Sequence, residues 1–274
     1  MSYPFFILNG EIRPTEDALI SLGNIEYSYG FGVYENIRVL HGKALFIQDH
    51  IERLLASATT LSLEHIETKD RVEDAIALLL EKNNVDTCNL KLLLVGGATP
   101  EKAIFSIQCL NPSFVPDKLY KSGVHCITEK YERLFPQAKT LNMLGSYLAY
   151  RKAKRVGAHD ALLLDRKDAI TEGTRTNLLA LQGNEIISPS ENDILLGVTR
   201  KHVLTVAQGL GFSLSSKDFF PNELSGFDAI FLTSTSSKIL PIATVNDLKL
   251  PQRWDRLNEL MAAFNEYIDR EKSA

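Results

Sequence analysis

The sequence predicts a mixed α/β (α+β) protein built from two domains. Its 274 residues are nearly twice the length of an average domain, which is roughly 150 residues. Short apolar runs bounded by turn residues, typical of strands, are interspersed with longer segments whose apolar residues recur at helical spacing. A proline-containing break at 111–117 separates the two halves. We therefore expect a small α/β domain over 1–112, a linker over 113–120 and a larger domain over 121–274.

Composition and charge exclude several classes of partner. Thirty Lys and Arg residues against 34 Asp and Glu residues give a formal net charge of −4, so the chain lacks the basic excess typical of nucleic-acid-binding proteins. No apolar run approaches the length of a membrane helix, about 18 residues, and the N-terminal apolar run lacks a basic flank. Cys88, Cys109 and Cys126 are too few for a disulfide framework. They are expected to be reduced core thiols of a cytoplasmic protein.

The first half is expected to contain two hairpins, two helices and two further strands. Asn9-Gly10 and His41-Gly42 tolerate the positive φ angles of tight turns, so each is expected to join antiparallel strands. Asp49 and Asp70 precede apolar stripes at helical spacing and are expected to cap helices. The expected elements are strands at 3–8 and 11–13, a hairpin within 35–46, a helix at 50–61, a helix between 70 and 83, and strands at 89–95 and 103–109.

The second half is expected to combine short strands with three longer helices. Leu144, Leu148 and Ala149 are spaced so that they face inward from a helix over 142–156. The expected elements are a strand at 124–129, this helix, strands at 161–164, 169–171 and 177–181, a helix from about 199 to 209, a strand at 229–232, and a helix at 254–269.

Several common catalytic motifs are missing from the sequence. Gly30-Phe31-Gly32 begins like a dinucleotide-binding fingerprint, but it lacks the third glycine and the strand–turn–helix setting. The sequence has no phosphate-binding loop of the Walker A type, no His-Glu-x-x-His and no Gly-x-Ser-x-Gly. Its six histidines have no ligand spacing, so we expect no metal site.

Two segments can bind an anion through main-chain N–H groups. Leu196–Arg200 opens a helix, where the first N–H groups have no partner within the helix and the dipole favours negative charge. Thr233–Ser237 follows an apolar strand and adds hydroxyl groups. Each segment alone is typical of an ordinary helix cap or loop, but together they indicate a phosphate. Arg53 could add a charge-assisted hydrogen bond, although a solvated helix arginine is the alternative.

A phosphate site together with a lysine in apolar surroundings indicates a pyridoxal cofactor. Lys139 comes just before the helix at 142–156, and an apolar setting disfavours the ammonium form, which frees the amine for Schiff-base chemistry. Glu172 ends one strand and precedes another, where a carboxylate could keep a pyridine nitrogen protonated. An exposed lysine and a hairpin-turn acid are the alternatives that the residues alone leave open.

The motifs and their order along the chain resemble those of the class IV (fold type IV) pyridoxal-phosphate aminotransferases. This family includes D-amino-acid transaminases, branched-chain aminotransferases and aminodeoxychorismate lyases. The resemblance covers nearly the whole chain. The matching segments are Tyr29–Glu35, His50–Leu54, Lys139–Asn142, Ala158–Asp165, Glu172–Leu178, Leu196–Arg200, and Thr233–Ser237 followed by Pro241. The resemblance implies a two-domain fold with the cofactor, pyridoxal 5′-phosphate (PLP), between a small N-terminal and a larger C-terminal domain, and it implies a homodimer.

The resemblance also implies a role for individual residues. Lys139 would carry PLP as a Schiff base and move the α-proton of the substrate. Glu172 would pair with the pyridine nitrogen, and Tyr34 would line the substrate pocket. The residues that would hold the phosphate are Arg53, Val198, Thr199, Ser234 and Thr235, with Ser236 assisting there or at the substrate.

Departures from the family pattern bear on the substrate. D-amino-acid transaminases of the best-known type carry Arg-x-His after a Thr/Ser-Pro step, whereas this sequence has Glu101-Lys102-Ala103 there. Another cation must therefore bind the substrate carboxylate. Lys238 stands where the family usually has an acid, after the loop at 233–237. Lys238, with Arg38 or Lys91, is expected to bind the carboxylate. The alternative is that Lys238 is only a change of charge at the surface. Leu144 stands where branched-chain enzymes place a tyrosine, which is closer to the D-type pattern.

The expected function is amino transfer between a small amino acid and a 2-oxo acid. D-amino acids are slightly favoured over branched-chain L-amino acids. The alternative is a 4-amino-4-deoxychorismate lyase, a PLP-dependent C–O lyase of the folate pathway, but Tyr34–Arg38 is more typical of a transaminase. A catalytically silent binding homologue is disfavoured because Lys139 and Glu172 are both present.

Overall fold

The computed structural model describes residues 3–271, which divide into two compact units. The first unit comprises residues 3–113, 138–142 and 271, and the second comprises residues 114–137 and 143–270. The segment 138–142, which the sequence places in the second domain, therefore belongs to the first unit. The reason is that its main chain continues the edge of the first unit's sheet, a long-range pairing without a local signal.

The first unit is built on a six-stranded antiparallel sheet with strand order β2-β1-β6-β5-β3-β4. Its strands are β1 (Phe5–Leu8), β2 (Glu11–Pro14), β3 (Gly32–Leu40), β4 (Lys43–Ala44), β5 (Cys88–Val95) and β6 (Ile104–Leu110). Its helices are α1 (Ile25–Ser28), α2 (Ile47–Thr60) and α3 (Lys69–Lys82).

Both predicted hairpins are confirmed. Asn9 and Gly10 have φ angles of 51° and 84°, and His41 and Gly42 have φ angles of 51° and 73°. Two consecutive residues with positive φ form a turn whose twist matches that of the flanking strands. The turns therefore fix the registers of β1 with β2 and of β3 with β4.

The helices α2 and α3 cover one face of this sheet, but both begin earlier than predicted. Asp49 and Asp70 lie in the first turns, whereas the N-cap residues are Phe46 and Thr68. Thr68 caps α3 because its side chain accepts a hydrogen bond from the main-chain N–H of Arg71 at 3.3 Å. Phe46 has a φ angle of 53°. The side chain of phenylalanine cannot accept a hydrogen bond from the helix N-terminus, and its backbone here is in the left-handed region. The sequence therefore carried no signal for the start of α2.

The core of the first unit lies between the sheet and these helices. Val33, Ile37 and Val39 alternate along β3 and are fully buried, as are Ile51 and Leu54 of α2. Each such side chain contributes about 1.5–3 kcal/mol of transfer free energy. Because side chains alternate across a strand, the even-numbered residues of β3 face the opposite side of the sheet.

The second unit contains a nine-stranded sheet, six strands of which form a closed ring. Around the ring the order is β10-β13-β14-β7-β8-β9, and β9 pairs again with β10. The strands are β7 (Val124–Lys130), β8 (Asp160–Leu164), β9 (Ile170–Gly173), β10 (Asn177–Gln182), β11 (Glu185–Ser188), β12 (Ser213–Ser216), β13 (Ala229–Ser234), β14 (Lys238–Val245) and β15 (Leu248–Lys249). The helices are α4 (Asp117–Ser122), α5 (Leu144–Arg155), α6 (Val198–Gly209) and α7 (Asp255–Glu271).

In the second half, a helix begins within the expected linker, and one of the three inward residues predicted for α5 is confirmed whereas the other two are not. The expected linker at 113–120 includes the start of α4, which follows Pro116 directly. On α5, Ala149 is buried as predicted, but Leu144 and Leu148 are 68% and 53% exposed. The inward prediction for these two leucines is wrong because α5 buries a stripe of small residues, including Ala153, against β8. Helical spacing alone does not say which stripe faces the sheet.

The three cysteines are free and buried, as expected for reduced core thiols. Among residues 3–271, no helix is long and apolar enough to cross a membrane. Within the same described range, no group of three or more His, Cys, Asp or Glu side chains is arranged to hold a metal ion. The cytoplasmic location stays a prediction.

Candidate functional site

The segment carrying Lys139 is fixed to the first unit by main-chain hydrogen bonds on both sides of the lysine. Tyr34 N–H donates to the Lys139 carbonyl at 3.0 Å, and Leu141 N–H donates to the Gly32 carbonyl at 2.8 Å. Lys139 N–H in turn donates to the Ser57 hydroxyl of α2 at 3.0 Å. A Cβ at Gly32 would lie 2.8 Å from the Leu94 carbonyl oxygen and 2.8 Å from Leu141 Cδ1, so the main chain is packed closely here. The backbone of Lys139 is therefore held in one position.

The Lys139 side chain lies over an aromatic ring. Its Nζ atom is 4.6 Å from the centroid of the Tyr34 ring, within the range of a cation–π interaction. Thr140 bridges directly to Val33 and is buried like it, so Lys139 projects from the other face of the sheet, with Tyr34. The predicted lysine and the predicted pocket tyrosine are thus brought together.

Arg53 is not a solvated helix arginine, because it forms a buried ion pair. Its Nε and Nη2 atoms donate to the two carboxylate oxygens of Glu35 at 2.6 Å and 2.8 Å, and His50 Nδ1 lies 2.8 Å from the same carboxylate. The side chain of Glu35 is fully buried, and that of Arg53 is 13% exposed. Bidentate geometry fixes the plane of the guanidinium.

The charges of this cluster shift the pKa values of its members. Burial alone would raise the pKa of Glu35, but the charges of Arg53 and His50 and their hydrogen bonds outweigh it and hold the pKa well below its usual range. Burial lowers the pKa of His50, and the nearby charges of Arg53 and Lys139 lower it further, against the opposing effect of Glu35. At neutral pH, Glu35 is therefore an anion.

Sequence reasoning missed Glu35, although one signal was available. Glu35 alternates with Val33 and Ile37 on β3, so an acid stands at a core-facing position. Buried acids are almost always paired. The pattern therefore predicts a basic partner on the covering helix, where Arg53 lies.

The face of the sheet that carries Tyr34 also carries two of the predicted substrate cations. Asn36 and Lys91 are direct cross-strand neighbours on β3 and β5, and Lys91 is exposed. Arg38 lies two residues further along β3 and is only 5% exposed. Tyr34, Arg38 and Lys91 therefore share one face of the first unit.

In the second unit, Glu172 is a buried carboxylate whose donors include an arginine, an asparagine amide and a main-chain N–H group. Arg133 Nη1 donates to its Oε1 at 2.8 Å, while Leu195 N–H and Asn177 Nδ2 donate to its Oε2 at 3.1 Å and 3.3 Å. Arg133 Nη1 also donates to the Pro136 carbonyl at 3.1 Å. Glu172 is therefore not an exposed hairpin-turn acid. Sequence reasoning missed Arg133, which is separated from Glu172 by 39 residues.

The first turn of α6 lies beside Glu172. Val198, Thr199 and Arg200 are buried, and the N-cap residue, Gly197, has no side chain with which to cap the helix. A Cβ at Gly197 would overlap Asn177 Oδ1, which shows how closely the helix start approaches β10. The first N–H groups of a helix point out of its end and favour an anion.

The end of β13 lies next to this helix start. Thr233 is the direct cross-strand neighbour of Asn177, and its hydroxyl is buried without a hydrogen-bond partner among the residues described. In the loop that follows, Ser237 N–H donates to the Ser234 hydroxyl at 3.1 Å. Thr235 is half-buried and Ser236 is exposed. The second unit thus brings together Glu172, the start of α6 and the hydroxyl-rich loop.

Lys238 is the predicted site residue with the most evident structural role. It has a φ angle of 56°, and its Nζ donates to Asn265 Oδ1 of α7 at 2.6 Å. This bond links the end of the hydroxyl-rich loop to α7, and the role of Lys238 at the substrate stays a prediction.

Comparisons with known proteins identify the family. The family model "Amino-transferase class IV" matches residues 32–245. The chain is 29% identical to a D-alanine aminotransferase of Staphylococcus epidermidis, covering 95% of this chain and 96% of the relative. It is 29% identical to a Methanocaldococcus jannaschii protein provisionally named a branched-chain-amino-acid aminotransferase, covering 87% of each chain. The fold is similar to that of the Escherichia coli branched-chain amino acid aminotransferase, with a TM-score of 0.90, 21% identity, and coverage of 97% and 95% of the two chains. The chain therefore belongs to the class IV aminotransferases, which are PLP-dependent enzymes.

Proposed function

We propose that this transaminase moves an amino group between a small amino acid and a 2-oxo acid, with D-amino acids favoured and branched-chain L-amino acids next. The similarity to a D-alanine aminotransferase over nearly the whole chain supports D-amino acids. Leu144 in place of a tyrosine supports them too. When bound, PLP supplies an electron sink for the electrons left on the substrate carbon.

The observation that carries the proposal is the setting of Lys139. Its backbone is fixed by Tyr34 and Ser57, while its Nζ lies 4.6 Å from the Tyr34 ring. A proton shuttle needs a fixed backbone and a side chain whose terminal amine can move between two positions. With PLP bound, Lys139 Nζ would hold the cofactor as a Schiff base. Once the amino group of the substrate had displaced it, the freed amine would take the proton from the substrate Cα atom and return it on the same side.

Glu172 fits the pyridine nitrogen of the cofactor. Its carboxylate is buried, ionic and already oriented by Arg133 and two neutral donors. A carboxylate oxygen can accept more than one hydrogen bond, so Glu172 can still accept from a protonated pyridine nitrogen. Its negative charge stabilises that proton.

The phosphate fits the start of α6 and the adjoining loop. Main-chain N–H groups of Val198 and Thr199, together with the hydroxyls of Ser234 and Thr235, form a donor set suited to phosphate oxygens. The buried hydroxyl of Thr233, which lacks a partner among the described residues, is a further polar atom in the same place. These donors support PLP as the ligand.

Arg53 is proposed to contribute the cation that balances the phosphate. Its Nε and Nη2 atoms donate to the two carboxylate oxygens of Glu35, which fixes the plane of the guanidinium. Glu35 holds the guanidinium plane in place, so the arginine does not have to be ordered when the cofactor binds.

The substrate carboxylate requires a cation on the Lys139 side of the first sheet. Lys91 is the first candidate and Arg38 the second, since both share the face that carries Tyr34. Glu101 is not a candidate, because hydrogen bonds from its own N–H and the Thr99 hydroxyl lower its pKa and keep it negative. Ser236 and Lys238 stay candidates from the second unit.

A variant pair tests the carboxylate assignment. Lys91→Ala is expected to raise the KM for the amino acid about tenfold or more, the value of one charge-assisted hydrogen bond. Lys102→Ala, which removes an exposed lysine near Glu101, is the matched control. Equal KM values for both variants would remove Lys91 from the site, and an unchanged KM in Lys238→Ala would remove Lys238.

We also propose a homodimer, the second copy of this chain covering the apolar stripe on α5. Leu144, Tyr147 and Leu148 are each more than half exposed, and such patches mark interaction surfaces. Sedimentation analysis of the doubly substituted Leu144→Glu, Leu148→Glu protein is expected to show a monomer. A dimer that persists in this variant would show that another surface mediates association.

One experiment tests the activity and the subclass together. The purified protein with PLP is expected to be yellow, to bleach with borohydride, and to lose this reducible absorbance in Lys139→Ala. D-Alanine, D-glutamate, L-leucine, (R)-phenylethylamine and aminodeoxychorismate are then compared by the spectral change of the half-reaction. Turnover of aminodeoxychorismate alone would identify a lyase. A colourless protein that takes up no PLP would identify a silent binding homologue.

A further inference from the structure

One buried carboxylate holds the turn that follows Glu172. Asp160, the first residue of β8, is 3% exposed. Its Oδ1 accepts hydrogen bonds from Ala161 N–H at 2.9 Å, from Thr174 N–H at 3.3 Å and from the Thr174 hydroxyl. Its Oδ2 accepts from the Thr176 hydroxyl at 3.0 Å. Four donors converge on one carboxylate, three of them from the turn between β9 and β10.

The turn packs directly against this carboxylate. Gly173 N–H donates to the Thr176 carbonyl at 2.9 Å, which closes the turn. A Cβ at Gly173 would overlap the Thr176 hydroxyl and would lie 2.6 Å from Asp160 Oδ2. Only glycine therefore fits at this position, and the hydrogen bonds from Thr174 and Thr176 tie the turn to Asp160.

Glu172 and Asn177 flank this turn, and Glu172 is the carboxylate proposed to face the cofactor. Glu172 and Asn177 are direct cross-strand partners, and Asn177 Nδ2 donates to Glu172 Oε2. Because the turn is short, a displacement of its centre moves both ends. A displacement of about 1 Å at a reacting group can cost a hundredfold in rate.

We propose that Asp160 is a positioning residue for the transamination reaction. By holding the turn at 173–176, it places the Glu172 carboxylate where it keeps the pyridine nitrogen of PLP protonated. The proposal rests on the role of Glu172 proposed above. Asp160 does not touch the cofactor, and it acts on Glu172 through the backbone of the turn.

The hairpin formed by β8 and β9, on which Asp160 and Glu172 lie, provides a matched control residue. Asp165 Oδ1 accepts hydrogen bonds from Lys167 N–H at 2.8 Å and from Ala169 N–H at 2.9 Å. It therefore organises the turn between β8 and β9, at the end of the hairpin remote from Glu172. Asp165→Asn removes the same kind of charge from the same kind of turn.

The experiment compares holoenzyme variants by kinetics and by the nitrogen-15 NMR signal of PLP labelled at its pyridine nitrogen, which reports protonation of that atom. Asp160→Asn removes the charge, Thr174→Val removes one hydroxyl at nearly constant shape, and Thr174→Ser restores the hydroxyl. Glu172→Gln supplies the reference signal for a lost carboxylate. Asp160→Asn is expected to lower kcat about 10- to 100-fold with a smaller change in KM.

The NMR signal separates positioning from simple loss of stability. The signals of Asp160→Asn and Thr174→Val are expected to move toward that of Glu172→Gln, whereas Thr174→Ser and Asp165→Asn are expected to match the wild type. Should Asp160→Asn fail to fold, Thr174→Val decides alone, because it leaves the carboxylate in place.

Two results would overturn the proposal, and they differ in what else they imply. If Glu172→Gln moves the signal but Asp160→Asn and Thr174→Val do not, Asp160 is purely structural and the role of Glu172 stands. If Glu172→Gln itself leaves the signal unchanged, the role of Glu172 in the proposed function fails, and the role of Asp160 fails with it.

Discussion

Replacement of Glu35 by glutamine is expected to destabilise the first unit by about 3–5 kcal/mol, the cost of removing one member of a buried ion pair. Glu35 is fully buried and accepts from Arg53 at 2.6 Å and 2.8 Å and from His50 at 2.8 Å. Glutamine has the same shape, so no cavity forms. It has no charge, however, and leaves the guanidinium of Arg53 buried without its anion.

Glu67→Gln is the matched control in the same unit. Glu67 is 8% exposed, so it is nearly as buried as Glu35. Its ionic partner, Arg71, lies at 3.4 Å with a side chain that is 48% exposed. Water solvates this arginine in the variant, so the expected loss of stability is less than about 1 kcal/mol.

Hydrogen exchange measured by mass spectrometry is the suitable assay, because it reports each unit separately. Peptides from β3 and α2 give the free energy of opening of the first unit at neutral pH. Fluorescence would not do so, since the single tryptophan, Trp254, lies in the second unit. Equal opening free energies for Glu35→Gln and Glu67→Gln would refute the reasoning about the buried pair.

The same pair of variants predicts a pH dependence. The pKa of Glu35 is lower in the folded protein than its ordinary value of 4.5. A carboxyl group of this kind stabilises the fold above its unfolded pKa, and the stabilisation is lost as the pH falls toward the folded pKa. The difference between the wild type and Glu35→Gln should therefore be full at neutral pH and shrink below pH 4.5. A difference that grows in acid would contradict this sign.

Two further predictions concern the second unit. Gly197→Ala introduces a Cβ that overlaps Asn177 Oδ1, so we expect a PLP affinity about tenfold lower or worse by equilibrium dialysis, equivalent to about 1.4 kcal/mol. Gly209→Ala, at the other end of α6 with nothing within 4 Å, should keep its affinity, and equal losses in both would contradict the explanation. Arg133→Gln removes the charged donor of Glu172, so kcat should fall about 10- to 100-fold, the value of a charge-assisted hydrogen bond. A steady-state kcat equal to that of the wild type would refute this.

The sequence predicted those parts of the fold that local chemistry determines. The hairpin turns at Asn9-Gly10 and His41-Gly42 were predictable because few residue pairs adopt two positive φ angles. The stripe of small residues on α5 was not, because Ala149 and Ala153 form a weaker periodic signal than the exposed Leu144. Burial there depends on how closely α5 approaches β8, which is a tertiary property.

The candidate site shows the same division. Lys139 and Glu172 could be proposed from motifs, since each lies in a short run of residues with recognisable order, and their roles stay predictions. Their partners could not be, because Arg133 is distant in sequence from Glu172, and Ser57 lies on a helix far from Lys139 along the chain. Charge partners that are far apart along the chain leave a trace only where an ionic residue interrupts an apolar face, as Glu35 does.

The placement of residues 138–142 in the first unit limits how this protein can be divided. The chain crosses from the second unit to the first and back around Lys139, so no single cut yields both units intact. A fragment ending at residue 113 would leave the edge of β3 uncovered next to Gly32 and prone to pair with other chains. In hybrids assembled from two relatives, the lysine segment must come from the parent that supplies the first 113 residues, although it is encoded with the second half.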